Sequence, residues 1–374
     1  MKRLLTLLPL LLVRWAVAQP VDLQWFDPAD AVPAVIDGRG WKEGFASPFD
    51  RLPARGEAMV RNVLWGLSRH AAGQYIQFTT NSRSIVVRYG VKGAQSMNQM
   101  PATGVSGVDL YATDGLGHWS WSRAAFKFGD TIEYRFENIP ASAALGHFRL
   151  YLPLYTSVQW MRIGVPKEKA FGALPAGDEK PIVAYGTSIL HGAYASRPGL
   201  AWTNILGRKL DARVVNLGFS GNGQLETAMI DLINEVDARL YILDCMPNLW
   251  DRSKFPPEEI ESRMRAAVRA LQAKHPHTHI VFAEHCSGIE GVNMDTVMTQ
   301  RYVAVSRLAA DVFRKMKKEG VRNIHHLSAK QIGFDRESTL DGTHPNDIGM
   351  MQYAEAYQRV IAPLLRRDRP GADR

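Results

Sequence analysis

The amino-acid sequence predicts an α/β protein in two parts, an all-β sandwich or jelly roll over residues 22–165 and a three-layer α/β/α domain on a parallel five-stranded sheet over 181–368. Three observations predict it. In the first part, short runs of β-branched and aromatic residues recur between Gly, Asn, Asp and Pro, the spacing of a sandwich. From residue 182 onward short apolar runs alternate with helical patterns, which implies a parallel sheet covered by helices. Between the two, residues 166–180 (PKEKAFGALPAGDEK) mix Pro, Gly and charge without an apolar period and read as a linker.

The chain opens with Met1-Lys2-Arg3, an apolar run over 4–13, and Ala16-Val17-Ala18 before Gln19. That order of basic, apolar and small residues is a secretory signal over residues 1–18, and it places the mature protein in the periplasm or outside the cell. The run falls well short of the ~20 residues of a spanning helix, and Arg14 interrupts it. Loss of Lys2, Arg3 and Arg14 takes the formal charge from +8 to +5. The remaining basic residues are scattered, apart from Arg366-Arg367-Asp368-Arg369. No nucleic-acid partner is expected from that pattern, whereas an acidic glycan, an anionic envelope surface or a merely solvated basic surface all fit it.

With 374 residues, 46% hydrophobic and 22% charged, the chain can bury two cores. No segment after the signal reaches spanning length, so no stable membrane insertion is expected. Cys245 and Cys286 each follow an apolar run, 240–243 and 280–283. They read as free buried thiols, because neighbouring parallel strands rarely offer disulfide geometry.

Strands are predicted in the first part over 75–79, 84–89, 108–111, 119–123, 131–136 and 148–154. Its Trp65, Tyr111, Trp119 and Trp121 form either core or a sugar-stacking surface. In the second part strands are predicted over 182–185, 213–217, 240–243, 279–283 and 323–327. Helices follow over 200–210, 225–236, 257–274, 294–318 and 346–365. No internal repeat is present.

The chemistry concentrates at the ends of these strands. The stretch PIVAYGTSILHG over 181–192 sets Ser188 at the carboxyl end of the first one, where open α/β sheets place their sites. A serine hydroxyl needs a base within hydrogen-bond reach, itself held by a carboxylate. Asp341-Gly342-Thr343-His344 supplies both. The glycines of Gly218-x-x-Gly221-x-Gly223 lack dinucleotide-fingerprint spacing and a Walker lysine. Leu190 excludes the Gly-x-Ser-x-Gly elbow. His275, His277 and His279 alternate as three metal ligands on one strand face would, but Pro276 and a loop position make them solvated histidines. His191 and His285 lie near strand ends, with no role assigned.

Four blocks follow the predicted strands in order: Gly186-Thr187-Ser188, Asn216 to Gly223, Asp244 to Asn248, and Asp341-x-x-His344. Over residues 181–355 this pattern resembles the SGNH (GDSL-type) hydrolases. Gly107-Val108-Asp109-Leu110-Tyr111 resembles the motif of their exported branch, in which an N-terminal β-domain precedes the hydrolase, and the whole is similar to carbohydrate acetylesterases. The resemblance implies a flavodoxin-like catalytic fold with Ser188 as nucleophile, His344 as general base and acid, and Asp341 orienting the imidazole. The N–H groups of Ser188 and Gly221 and the amide of Asn248 would form the oxyanion hole, with no metal or cofactor required. Thr187 and Leu249 stand where the family commonly has aspartate, which bears on substrate class rather than on chemistry. The expected function is an exported esterase releasing small acyl groups, above all acetyl, from an acylated carbohydrate or another small ester. The alternatives are a lipid or thioester hydrolase on the same triad, and a glycan-binding protein whose hydrolase domain has lost activity.

Overall fold

The structure, a computed structural model, describes residues 22–367 apart from 115, 117 and 141–145. The expected signal over 1–18 and Arg369 therefore lie outside the described residues.

Among the described residues, eleven strands form the first half. They are β1 (Leu23–Phe26), β2 (Ile36–Asp37), β3 (Tyr75–Thr80), β4 (Ile85–Lys92), β5 (Asp109–Thr113) and β6 (Trp119–Ser122), then β7 (Ala124–Lys127), β8 (Ile132–Phe136), β9 (His147–Tyr151), β10 (Ser157–Pro166) and β11 (Phe171–Ala173). Two antiparallel sheets result, one in the order β1-β10-β4-β8-β7 and one in the order β11-β3-β9-β5-β6 with β2 added to β3. Alternation along each strand fixes the sandwich. Ile132, Tyr134 and Phe136 of β8 turn inward while Glu133 and Arg135 turn out. Between the sheets Phe78 stacks on Phe148 with ring centroids 5.4 Å apart, within one core that also takes Val87, Tyr89 and Ile163.

All six strands expected in this half are present. The stretch read as a linker is partly a strand instead: Phe171–Ala173 pairs antiparallel with Phe78–Thr80 of β3. Its backbone finds partners on a sheet edge, so its composition did not make it free chain.

The second half is a parallel sheet of β12 (Ile182–Gly186), β13 (Val214–Gly218), β14 (Leu240–Asp244), β15 (His279–Ala283) and β16 (Ile324–Leu327), in the order β13-β12-β14-β15-β16. Residues of the helices Trp202–Leu210 and Asp347–Arg367 pack on one face. Residues of Thr227–Ile233, Pro257–Lys274 and Thr296–Lys318 pack on the other. This is a three-layer α/β/α domain of flavodoxin-like order. Strand order reverses at β12, so the crevice where such sheets bind ligands opens beyond the ends of β12, β13 and β14. Among the described residues no helix is long and apolar enough to cross a membrane.

Asp244, the last residue of β14, is wholly buried. Tyr357 donates a 3.0 Å hydrogen bond to its Oδ2, and its Oδ1 has no partner among the described residues. Burial pushes this carboxyl up to about 7, against the opposing hydrogen bond from Tyr357. An aspartate is near 3.9 in the unfolded chain, so its stabilising contribution is complete below that value and is lost as pH rises through about 7. The Tm of the wild type should therefore fall relative to that of Asp244→Asn, by roughly 5 °C between about pH 5 and about pH 8. Thermal melts of both proteins across that range check this, and a constant difference would contradict it.

Candidate active site

Ser188, Gly221 and Asn248 follow the ends of β12, β13 and β14, and Asp341 and His344 stand on the loop before the last helix. Beyond β12, Thr187 is extended and the chain turns into the short helix Ser188–His191, which ends at Gly192 with φ +117. The N–H groups of Gly192 and Ala193 both donate to the Ser188 carbonyl at 3.0 Å. Tyr155 donates to the same carbonyl at 3.4 Å. Ser188 is thus held by its backbone and is 7% exposed.

Across the crevice, the loop before Asp347–Arg367 carries the histidine. Thr339 donates through Oγ1 to the His344 carbonyl at 2.9 Å, and the Gly342 N–H returns to Thr339 Oγ1 at 2.8 Å. His344 Nε2 lies 2.8 Å from Ser188 Oγ, and its Nδ1 lies 2.8 Å from Asp341 Oδ2. The other oxygen of Asp341 accepts the N–H groups of Thr343 at 2.9 Å and His344 at 2.8 Å. Burial pushes the Asp341 carboxyl up, but the His344 ring and these two N–H groups outweigh it and hold the carboxyl below its usual range. A carboxylate that stays ionised fixes the tautomer with a proton on Nδ1, leaving Nε2 free to accept from the serine.

The loop after β13 supplies donors. Gly221 has φ +66, and a Cβ there would meet nothing within 4 Å. The N–H groups of Ser188 and Gly221 have no acceptor among the described residues. At Gly223, φ is +84 and a Cβ would lie 2.0 Å from the Gly186 carbonyl oxygen, so only glycine lets this loop lie against the end of β12. Asn248, at the end of the turn Met246–Asn248, donates to the Asn222 carbonyl, which joins the loops after β13 and β14. That contact uses one of the two hydrogens of the amide.

The other sequence candidates settle differently. His191 is fully buried and meets the Leu154 carbonyl at 2.7 Å. Burial together with the nearby Arg51 charge drives it far toward the neutral form. His285 is also buried, stacked on Tyr302 at 3.9 Å, and Tyr302 meets Thr343 Oγ1 at 2.8 Å; it supports the Asp341 loop from behind. His275 and His279 diverge, the first toward the Asn234 carbonyl and the second toward His325. Cys245 and Cys286 are free and buried.

Two contacts escaped sequence reasoning. Tyr194 sets its ring 4.7 Å from that of His344. Arg51, from a loop of the first half, is 1% exposed and inserts its guanidinium under the site. It donates to the carbonyls of Asn216 at 3.1 Å, Gly218 at 2.8 Å, His70 at 2.8 Å and Leu67 at 2.6 Å, and it lies 4.8 Å over the Phe219 ring. Burial pulls it down to about 9, so it remains charged at neutral pH.

The Gly-x-Asp-Leu-Tyr motif braces the opposite side. Asp109 accepts from Arg197 and from the Gly199 N–H at 2.9 Å, and Arg197 also donates to Tyr111 at 2.6 Å. Both partners lie on the segment leading away from the Ser188 helix. The same segment is tied to the histidine loop, because Tyr194 N–H donates to the Pro345 carbonyl at 3.0 Å and Ser196 donates twice to Asp347.

Residues 179–362 match the GDSL-like Lipase/Acylhydrolase family. Residues 23–171 match GxDLY, described as the N-terminus of Esterase SGNH hydro-type. The region 179–362 belongs to the GDSL-like lipase/acylhydrolase family. It is an ester hydrolase by that membership, with the GxDLY unit preceding its catalytic fold. A GDSL-like lipase from Bacteroides ovatus is similar at 29% identity, covering 92% of this chain and 98% of that one, with a TM-score of 0.81. The salicylyl-acyltransferase SsfX3 from a tetracycline biosynthetic pathway shares the fold at 21% identity and a TM-score of 0.64, over 91% and 94% of the two chains. A family two carbohydrate esterase from Cellvibrio japonicus shares it at 11% identity and a TM-score of 0.53, over 92% and 99%. No curated protein matches the chain.

In this acylhydrolase Arg51 is a positioning residue. Arg51→Met leaves the Asn216 and Gly218 carbonyls without their donor and should destabilise the fold by about 3 kcal/mol or more. In the fraction that stays folded, kcat should drop at least ~10-fold with little change in KM, because the loop bearing Gly221 loses its anchor. Denaturant melts and steady-state kinetics check both, and an unchanged kcat would restrict Arg51 to stability.

Proposed function

We propose that the chain is an exported serine esterase that hydrolyses small acyl esters, above all O-acetyl, on a carbohydrate. The observation that carries the reading is the unbroken line from Ser188 Oγ through His344 to Asp341, with both links at 2.8 Å. Ser188 Oγ attacks the ester carbonyl carbon while His344 Nε2 takes its proton. The oxyanion is met by the N–H groups of Ser188 and Gly221 and by the Asn248 amide. Collapse expels the sugar hydroxyl, which leaves with the proton from His344. Water then attacks the acyl-enzyme with His344 again as base, releasing the acid and restoring Ser188. Asp341 keeps the imidazole oriented and stabilises its cation throughout.

Residues 181–368 are the catalytic unit in this reading, and 22–165 the accessory unit. Export rests on the leader at residues 1–18. The carbohydrate substrate is supported by family two carbohydrate esterases that share the fold and by the accessory β-sandwich, whose extra surface suits a polymer better than a small free ester.

Ser188→Ala should abolish acetate release from acetylated oligosaccharides and from p-nitrophenyl acetate while leaving the melt unchanged. Asn248→Ala should lower kcat by ~10²-fold or more with KM nearly constant, because its amide meets charge that exists mainly in the transition state. Turnover by Ser188→Ala, or a change in KM alone for Asn248→Ala, would overturn the assigned roles. Preference of the wild type for long-chain acyl esters over every acetylated glycan would overturn the substrate.

A further inference from the structure

The two sheets of the first half face different surroundings. The sheet containing β3, β5 and β9 covers the hydrolase, with Arg208 of the helix Trp202–Leu210 lying 4.1 Å over the Tyr111 ring and 5.3 Å over that of Tyr151. The outer face of the other sheet is left uncovered by the described residues. It carries Trp25 and Trp160, at 36% and 38% exposure.

Both rings lie on glycine. Trp25 on β1 is directly opposite Gly164 on β10, and Trp160 on β10 is directly opposite Gly90 on β4. A Cβ on Gly164 would come within 2.8 Å of the Trp25 ring, and one on Gly90 within 2.3 Å of Trp160 Nε1. The missing side chains let each indole lie down against the sheet. Trp160 and Gly164 are four positions apart on one strand, so the two platforms are separated by about 13 Å along it.

Between the platforms sit cations. Arg162 and Arg88 are cross-strand partners at the midpoint, and the Arg88 guanidinium lies 4.9 Å over the Trp25 ring. Arg88 and Arg135 share a single carboxylate, Glu133, each at 2.6 Å. Arg162 reaches Asp27 only at 4.0 Å. Lys127, opposite Glu133 on β7, completes the edge of a cavity of about 660 Å³. Four cations thus face two carboxylates, an excess of positive charge on a surface that also offers two flat aromatic faces.

We infer that this face binds an anionic polysaccharide, one bearing uronate-type carboxylates. The indole faces take the C–H faces of the sugar rings, and the arginines and Lys127 between and beside them take the carboxylates. A neutral glycan would leave the excess charge unmatched, and an isolated small anion would leave the indoles unused. The inference rests on the carbohydrate reading above only for the nature of the polymer; the site lies on the face of the sandwich away from the hydrolase and would anchor the enzyme rather than present the ester.

The test uses the full chain and polygalacturonate, an unacetylated acidic polymer that requires no turnover, with unacetylated xylan as the neutral control. Titration calorimetry should show binding to polygalacturonate and binding at least ~10-fold weaker to xylan. Trp160→Ala and, separately, Lys127→Glu should each weaken polygalacturonate binding about 10-fold. Turnover of p-nitrophenyl acetate should stay at the wild-type level in both, which also reports that they fold. Absence of binding to polygalacturonate, or binding that survives both substitutions, overturns the inference. Equal affinity for duplex DNA or for anionic lipid vesicles also overturns it, making the face a general anion patch. Failure of the esterase reading would appear separately, as absent acetate release with polymer binding intact.

Discussion

The site depends on a buried charge, that of Arg51, which no carboxylate among the described residues neutralises. Moving a guanidinium out of water costs several kcal/mol unless its N–H groups are matched. The carbonyls of Leu67, His70, Asn216 and Gly218 do this for Arg51. Two of those carbonyls belong to the first half of the chain and two to β13. β13 is the edge strand of its sheet, so the carbonyls on its outer side have no ladder partner, and Arg51 meets two of them. The loop that follows, with Gly221 and Gly223, therefore starts from a fixed point, and the first half is a structural part of the site rather than an attachment to it.

The Asp109 contact has the same logic on the other flank. A nearly buried carboxylate receives Arg197, the Gly199 N–H and the Trp121 indole. Burial pushes its carboxyl up against the pull of Arg197 and these hydrogen bonds, so the pair stays together only while the two halves stay packed. Tyr194 and Ser196 pass that restraint on to the loop bearing His344. Serine, histidine and the donor loop are held from both flanks by residues outside the hydrolase sheet.

Much of this was legible in the sequence. Wherever a short motif follows an apolar run, the motif falls at the end of a strand as expected, because local periodicity fixes where the strand runs. The helix Pro257–Lys274 and the strand His279–Ala283 have the expected limits for this reason. β10 was not expected, since Trp160, Arg162 and Gly164 interrupt its apolar pattern; all three lie on its outer face, with Gly164 covered by the Trp25 ring. The strand Phe171–Ala173 was read as linker, because three residues on a sheet edge carry no period. Arg51 was invisible for a different reason. Its partners Asn216 and Gly218 lie 165 and 167 residues away, and nothing in its own neighbourhood signals a buried arginine. Asp109 was seen as part of a motif, but its role needed Arg197, 88 residues on.

The shared arginine also bears on how such a chain descends. A gene that lost the segment encoding the sandwich would keep its serine, histidine and aspartate yet expose two strand-end carbonyls and an unpaired Arg197. One that exchanged the sandwich for an unrelated β-module would need that module to deliver a guanidinium to the same point beneath β13. Recombination at the boundary between the halves is therefore penalised in a way that recombination between beads on a flexible string is not. The two halves form a single heritable unit, and substitutions at 109 and 197, which pair side chain to side chain across the halves, are expected to drift together rather than one at a time.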